Sequence, residues 1–460
     1  MKKAVLGVVL FLLIGSTYFL VINFSLIKKL VGYNVPDTTE QPTTEPDINR
    51  EEDGLGFLTV PDGFKISIVA SGLTNPRVIA FDPKGRMLVS ETKAGRVSIL
   101  DPSTTLGARG NFEIKRALIE GLKSPHGLDF FPSTSSGQVP SAQTTYLYIA
   151  ETHQVARYLY DVNTGKITNT VGQNIVTIPA DGRHFTRTIS FGSNTRSVDL
   201  IGEKVFRGLY DKNKLYISVG SSCDVCMEDS WKRAAILESD PDGTVTAEFA
   251  GGLRNSVFFT FHPVTGEMWA TEMGRDNLGD EFPPDEINII KPAGPEQKFG
   301  ARRFGWPFCY GNKIKDETFK PEKIERIDIP TDCGETDAPV IEISAHSAPL
   351  GLVFIPSNSL TTSEGQRTSD VKTWPKEWEG DLLVAYHGSW NRSEPTGYKI
   401  VRFKVDKNGK MSETADFITG WISENNKKVY GRPVDLKFGL DGALYISDDA
   451  AGIIYKLEPK

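Results

Sequence analysis

From residue 66 onward the chain alternates short apolar runs with turns rich in Gly, Pro, Asp and Asn, and helical periodicity is nearly absent. Period-two alternation broken by turn residues predicts strands joined by tight connections. The runs also resemble one another. Each unit has an apolar strand, a turn of Asp, Pro and Gly, and a second strand ending in a polar residue. The first unit is VIAFDPKGRMLVSE (78–91), and the second pairs HGLDFF (126–131) with YLYIAE (146–151). The third joins RTISFGS (187–193) to KLYISVG (214–220) across an insertion, and the fourth is VFFTFHPVTGEMWATE (257–272). The fifth joins LGLVFIPS (350–357) to DLLVAYHG (381–388), and the sixth is VDLKFGLDGALYISD (434–448).

Repeats of this kind point to a propeller or a solenoid. With Leu88, Leu147, Leu215, Met268, Leu382 and Leu444 taken as equivalent, the gaps are 59, 68, 53, 114 and 62 residues. These exceed the roughly 40–45 residues of a WD-type blade. Four strands per blade plus long loops account for the excess, and a solenoid would need tighter spacing. The pattern predicts an all-β, six-bladed propeller over residues 56–460. The early run KISIVA (65–70) is expected to add the outermost strand of the last blade and close the ring, which removes exposed sheet edges.

The N-terminus has a different pattern. Lys2 and Lys3 precede an apolar stretch from Ala4 to Ile27, and roughly 20 such residues suffice to cross a bilayer as a helix. Residues 1–33 therefore read as a signal anchor, with a cleaved signal peptide as the alternative. Residues 34–55, rich in Pro, Thr and acidic residues, read as a flexible linker. The folded part would then be extracytoplasmic, periplasmic or at the cell surface, and held to the membrane by the N-terminal helix. Four cysteines suit that placement. Two disulfides, Cys223–Cys226 and Cys309–Cys333, are expected, and a four-cysteine zinc site is the alternative, although the second pair lacks the usual close spacing.

Composition narrows the function classes. Hydrophobic residues make up 39% of 460, enough for a large core. A net charge of −7 without long basic runs argues against a nucleic-acid partner. The entrances to the predicted inner strands nonetheless carry Arg77, His126, His184 with Arg187, Arg254 with Asn255, His346 and Arg432. Cationic and imidazole groups recurring at one mouth suit a compact polyanion, with His as the default proton acceptor. The segment TEMGRDNLGDEFPPDEIN (271–288) concentrates Asp276, Asp280, Glu281, Asp285 and Glu286. It reads either as a calcium-binding loop or as a solvated acidic loop.

Several motifs carry a resemblance: GLTNPRVIAFDPKGRMLVSE, HFTRTISFG with KLYISVGSSCDVC, GGLRNSVFFTFHPVTGEMWATEMGRD, PPDEIN, HSAPLGLVF, HGSWNRSEPTGYKIVRF and GRPVDLKFGLDGALYISDDAAG. From about Phe57 onward the chain resembles the glucose/sorbosone dehydrogenase family of six-bladed propellers, which use pyrroloquinoline quinone (PQQ) and calcium. The likeness is to its L-sorbosone dehydrogenase-like and pyranose dehydrogenase-like members. It implies His184 as catalytic base, and Arg254, Asn255, Arg432, His126 and Arg187 as cofactor contacts. His387 or Arg392 would replace a lysine that the soluble glucose enzymes carry in blade five. The resemblance further implies that calcium meets the main-chain carbonyls of Gly274 and Arg275, followed by the acidic pair Asp285–Glu286. The implied activity is oxidation of an aldose or related sugar to a lactone or acid, with electrons passed to an external acceptor. A propeller lactonase and a non-catalytic calcium-stabilised binding propeller are the competing readings.

Overall fold

The structure, a computed structural model, describes residues 55–460 apart from 103–111, 133–143, 170, 193–212, 295–297, 325, 358–372, 407–409 and 427. The expected signal anchor (1–33) and residues 34–54 of the linker lie outside the described residues. Among the described residues no helix is long and apolar enough to cross a membrane.

Six sheets stand around a central axis. Blade I comprises Pro76–Phe81, Met87–Glu91, Arg96–Pro102 and Phe112–Glu120. Blade II comprises Leu128–Pro132, Thr144–Glu151, Gln154–Asp161 and Gln173–Thr177, with the short Lys166–Ile167 at its side. Blade III comprises Ile189–Phe191, Leu215–Val219, Ala235–Ser239 and Thr246–Gly251, and Arg302–Arg303 adds to it in parallel. Blade IV comprises Phe259–Phe261, Met268–Glu272, Asp285–Ile290 and Ile341–Ile343. Blade V comprises Pro349–Phe354, Leu382–Tyr386, Lys399–Val405 and Met411–Ile418. Blade VI comprises Pro433–Phe438, Leu444–Asp448 and Ile453–Pro459, completed by Phe64–Ala70 from the other end of the chain. The early strand thus closes the ring as its pattern predicted.

The second strands explain why several runs are continuously apolar. All five residues of MLVSE, LYISV, MWATE, LLVAY and LYISD are buried. Each strand lies in a sheet packed on both faces by neighbouring blades, so neither side meets water. The core is accordingly spread between blades, joining for instance Leu88, Leu147, Trp269, Val384 and Val434. Close approach of the inner strands needs glycine at Gly127. A Cβ there would lie 2.6 Å from both the Arg187 carbonyl and the Ile189 nitrogen.

The polar residue that ends the second strand has a structural task in four blades. A buried carboxylate there accepts the backbone N–H of the segment leading into the same blade. Thr74 donates to Glu91 at 2.6 Å, Lys123 to Glu151 at 2.5 Å, Asn255 to Glu272 at 2.9 Å and Arg432 to Asp448 at 2.8 Å. This clamp satisfies an otherwise orphaned donor and fixes the loop at the mouth. Blades III and V carry Val219 and Tyr386 at this place, followed by Gly220-Ser221 and by His387.

Candidate active site

Blade III departs most from the repeat, and the chemistry gathers there. At Gly220 a Cβ would meet the Asn255 Oδ1 at 2.5 Å and the His184 Cβ at 2.6 Å, so only glycine lets these two side chains converge. The following Ser221 has its N–H bonded to the Arg254 carbonyl at 2.7 Å and its hydroxyl to the Cys223 carbonyl at 2.6 Å. His184 Nδ1 lies 2.9 Å from the Ser221 carbonyl and 3.0 Å from its hydroxyl oxygen. A carbonyl only accepts, so Nδ1 carries the proton and the lone pair is on Nε2. Burial first, then the Arg254 charge, hold His184 well below the usual histidine range, against the opposing Ser221 hydrogen bond. It is a neutral imidazole with a basic nitrogen available.

Beside it, Arg254 is buried and already paired. It donates to Asp224 Oδ1 at 2.8 Å and to Asp276 Oδ2 at 3.0 Å, with further bonds to the carbonyls of Asp224 and Met273. Asp276 also receives Arg183 at 3.2 Å and the Asn391 amide at 2.8 Å from blade V. Asn255 turns its amide toward the Met273 sulfur. Across the mouth, Asp449 joins Arg77 at 2.7 Å and His387 Nε2 at 2.9 Å. Burial opposes the Asp449 charge, but His387 and Arg77 outweigh it and hold the carboxyl far below its ordinary value. Arg432 donates to Tyr398 Oη at 2.9 Å and to the Ser389 carbonyl at 3.1 Å. His126 is fully buried and touches Thr188 Oγ1 through Nδ1 at 3.3 Å; among the described residues its Nε2 and the buried Arg77 Nε find no partner.

Two of the expected cofactor contacts are engaged with the scaffold. Arg187 is wholly buried and donates to the carbonyls of His184, Thr186 and Pro179. It braces the His184 loop. Arg392 is committed to the Asp280 and Ala345 carbonyls and to Glu281, which ties two loops together. The acidic pair also separates. Neighbouring strand residues point to opposite faces, and Asp285 accepts the N–H groups of Gly274 and Ala348 while Glu286 accepts Gly311 N–H and the Asn288 amide. Asp285 therefore holds the Gly274 loop from behind, and the two carboxylates do not share one cation. Burial raises both, each to about 7. His346 donates its Nε2–H to the Gly279 carbonyl at 2.8 Å.

The long segment between blades IV and V covers one side of the mouth. Trp306 donates to the Asp224 carbonyl at 3.1 Å, and Arg275 pairs with Asp316 at 2.6 Å. Together they roof a small cleft lined by Arg254, Glu272, Met273, Gly274, Trp306 and Tyr310 among others. Both predicted disulfides are present, Cys223–Cys226 beside His184 and Cys309–Cys333 within this segment. With their sulfurs joined, the four cysteines do not form a zinc site. Reading along the chain missed Asp224, hidden inside the C-x-x-C, and Asp449, the second member of the doublet after the last clamp. An acidic residue beside each arginine-bearing loop was the available signal.

Residues 58–460 match the family model described as TrAA12-like. The PQQ-dependent pyranose dehydrogenase of Coprinopsis cinerea is 27% identical over 450 aligned residues, covering 86% of this chain. The chain spans about half of that relative, 54% of its length. The PQQ-dependent sugar dehydrogenase of Hypocrea jecorina is 26% identical, covering 86% of this chain and 88% of that protein. Among solved structures, the holo PQQ domain of the Coprinopsis cinerea pyranose dehydrogenase superposes with a TM-score of 0.64 at 22% identity, covering 87% of this chain and 97% of that one.

Proposed function

The chain belongs to the TrAA12-like family, and from that premise we propose that it is a PQQ- and calcium-dependent oxidoreductase acting on an aldose or related sugar. The proposed product is the lactone or acid, and the electrons go to an external acceptor. The observation that carries the reading is His184, a neutral base whose Nδ1 is occupied and whose Nε2 is available beside Arg254 and Asn255. The cofactor-bearing relatives named above support it.

The residues at the mouth fit such a cofactor. His126 Nε2 and Arg77 Nε are buried polar atoms without partners among the described residues, as expected of groups shaped for a polar ligand. Arg77, Arg254 and Arg432 would hold carboxylates, to which guanidinium forks are suited. Consecutive carbonyls of Gly274 and Arg275 accept no hydrogen bond among the described residues, which suits a calcium ion. When bound, the quinone would accept hydride and calcium would act as a Lewis acid. His184 Nε2 would take the hydroxyl proton of the sugar carbon being oxidised, a contribution typically worth about 10²–10⁴-fold. Arg254 and Asn255 would orient the ring system, and the Trp306 roof would exclude water. The N-terminal segment would place the domain outside the cytoplasm, anchored to the membrane.

One observation favours a second reading. Asp224, Asp276 and Asp449 already neutralise Arg254, Arg183 and Arg77, so the mouth offers little surplus positive charge, as suits a non-catalytic binding propeller. Titration of the purified chain with PQQ, with and without calcium, followed by dye reduction with a panel of aldoses, separates the two. Calcium-dependent quinone binding with turnover supports the dehydrogenase. Absence of quinone binding leaves the binding propeller.

A further inference from the structure

We propose that the loop Gly220–Cys226, cross-linked between Cys223 and Cys226, is a positioning element for the His184 base: it holds the Ser221 carbonyl against Nδ1 and so fixes the tautomer that exposes the Nε2 lone pair. This rests on the reading of His184 given above and adds residues that act through it.

The Ser221 carbonyl is held from two directions. Its own N–H is tied to the Arg254 carbonyl of the next blade at 2.7 Å, and its hydroxyl to the Cys223 carbonyl at 2.6 Å. Cys223 is in turn bonded to Cys226. The next residue is pinned as well, since Ser222 N–H donates to Glu228 at 2.6 Å and the Ser222 carbonyl accepts Arg183 N–H at 2.8 Å. Asp224, inside the cross-linked turn, receives Arg254, the Asp276 N–H and the Trp306 indole. The loop therefore follows directly on Val219, where other blades place a clamp carboxylate, and its outer contacts reach Arg183, Arg254, Asp276 and Trp306. The opposite tautomer would set the Nδ1 lone pair against carbonyl lone pairs 2.9 Å away and forfeit the bond. Losing a buried hydrogen bond of this kind biases the ratio by about tenfold or more. A loop without its cross-link can turn the carbonyl away, and the bias is lost. The Cys309–Cys333 bond has no such line of contacts to an imidazole.

The test uses the full chain without cofactor, labelled with ¹⁵N-histidine, and reads long-range proton–nitrogen correlations; His184→Gln identifies the signals. The wild type is expected to show a pyrrole-type Nδ1 and a pyridine-type Nε2. In the Cys223→Ser/Cys226→Ser double variant both signals should move toward the average of the two tautomers. Ser221→Ala, which keeps the carbonyl but loses the hydroxyl tie, should move them the same way by less. Should the double variant fail to fold, Ser221→Ala decides alone. A wild-type signature retained in the variants, or an Nε2-protonated wild type, overturns the positioning role. Quinone binding is measured separately on the same wild-type sample. Its absence overturns the dehydrogenase reading and leaves the tautomer result standing.

Discussion

Blades I and III are built from the same sequence unit and end their second strands differently. In blade I, Glu91 is fully buried and takes Thr74 N–H, Arg96 and Ser98 at once. Burial works against its ionisation, yet these bonds lower its proton affinity overall. Blade III has Val219 at that place, and the Gly220 that follows lets His184 and Asn255 converge. The carboxylate clamp made in four blades is thus absent from blade III, where a disulfide-linked turn follows the strand and meets the imidazole. The lesson is positional: in a ring of equivalent units, the reactive group sits where the local rule is broken.

The largest expected effect is on the broken side. His184→Ala should lower turnover by about 10²–10⁴-fold while leaving quinone affinity near wild type, measured by dye reduction and by cofactor titration. The intact side should respond in stability only. Glu91→Ala leaves Thr74 N–H and a partly buried Arg96 unpaired, and should cost about 3 kcal/mol in denaturant unfolding with no change in turnover.

A pH experiment sharpens the contrast at blade IV, where the clamp remains but its charge does not. Burial, with a smaller push from Glu286, raises Glu272 to about 8, against bonds from Ser256 and Asn255. Its folded-state value lies above the unfolded one, so its contribution is fully present below about pH 4.5 and is lost as pH rises through about 8. Thermal unfolding should therefore weaken between about pH 5 and 9, and Glu272→Gln should flatten that slope. The smallest effect belongs to Arg392→Ala. It removes a surface-facing pair with Glu281 and two carbonyl bonds, and should cost within about 1 kcal/mol with cofactor affinity retained.

Much of this architecture was legible in the chain. The blades follow from short-range apolar alternation and turn residues, ring closure from one surplus strand at the start, and the disulfides from cysteine spacing. What escaped was pairing across distance. Arg77 meets Asp449 372 residues later, and nothing local in either segment declares the other. Arg187 and Arg254 look alike as arginines at strand entrances, yet one is sealed beneath the His184 loop and the other lies in the cluster. Asp285–Glu286 reads as one acidic pair until strand alternation sends the two carboxylates to opposite faces. Sequence pattern reports which side chains a local element carries; it does not report which of them a neighbouring blade has already engaged.

The most direct measurement compares wild type, His184→Ala and Glu91→Ala for aldose-dependent dye reduction after loading with PQQ and calcium. The account predicts turnover in wild type and in folded Glu91→Ala, and its loss in His184→Ala with quinone still bound. Undiminished turnover in His184→Ala would contradict the claim that the break in the blade repeat holds the catalytic base.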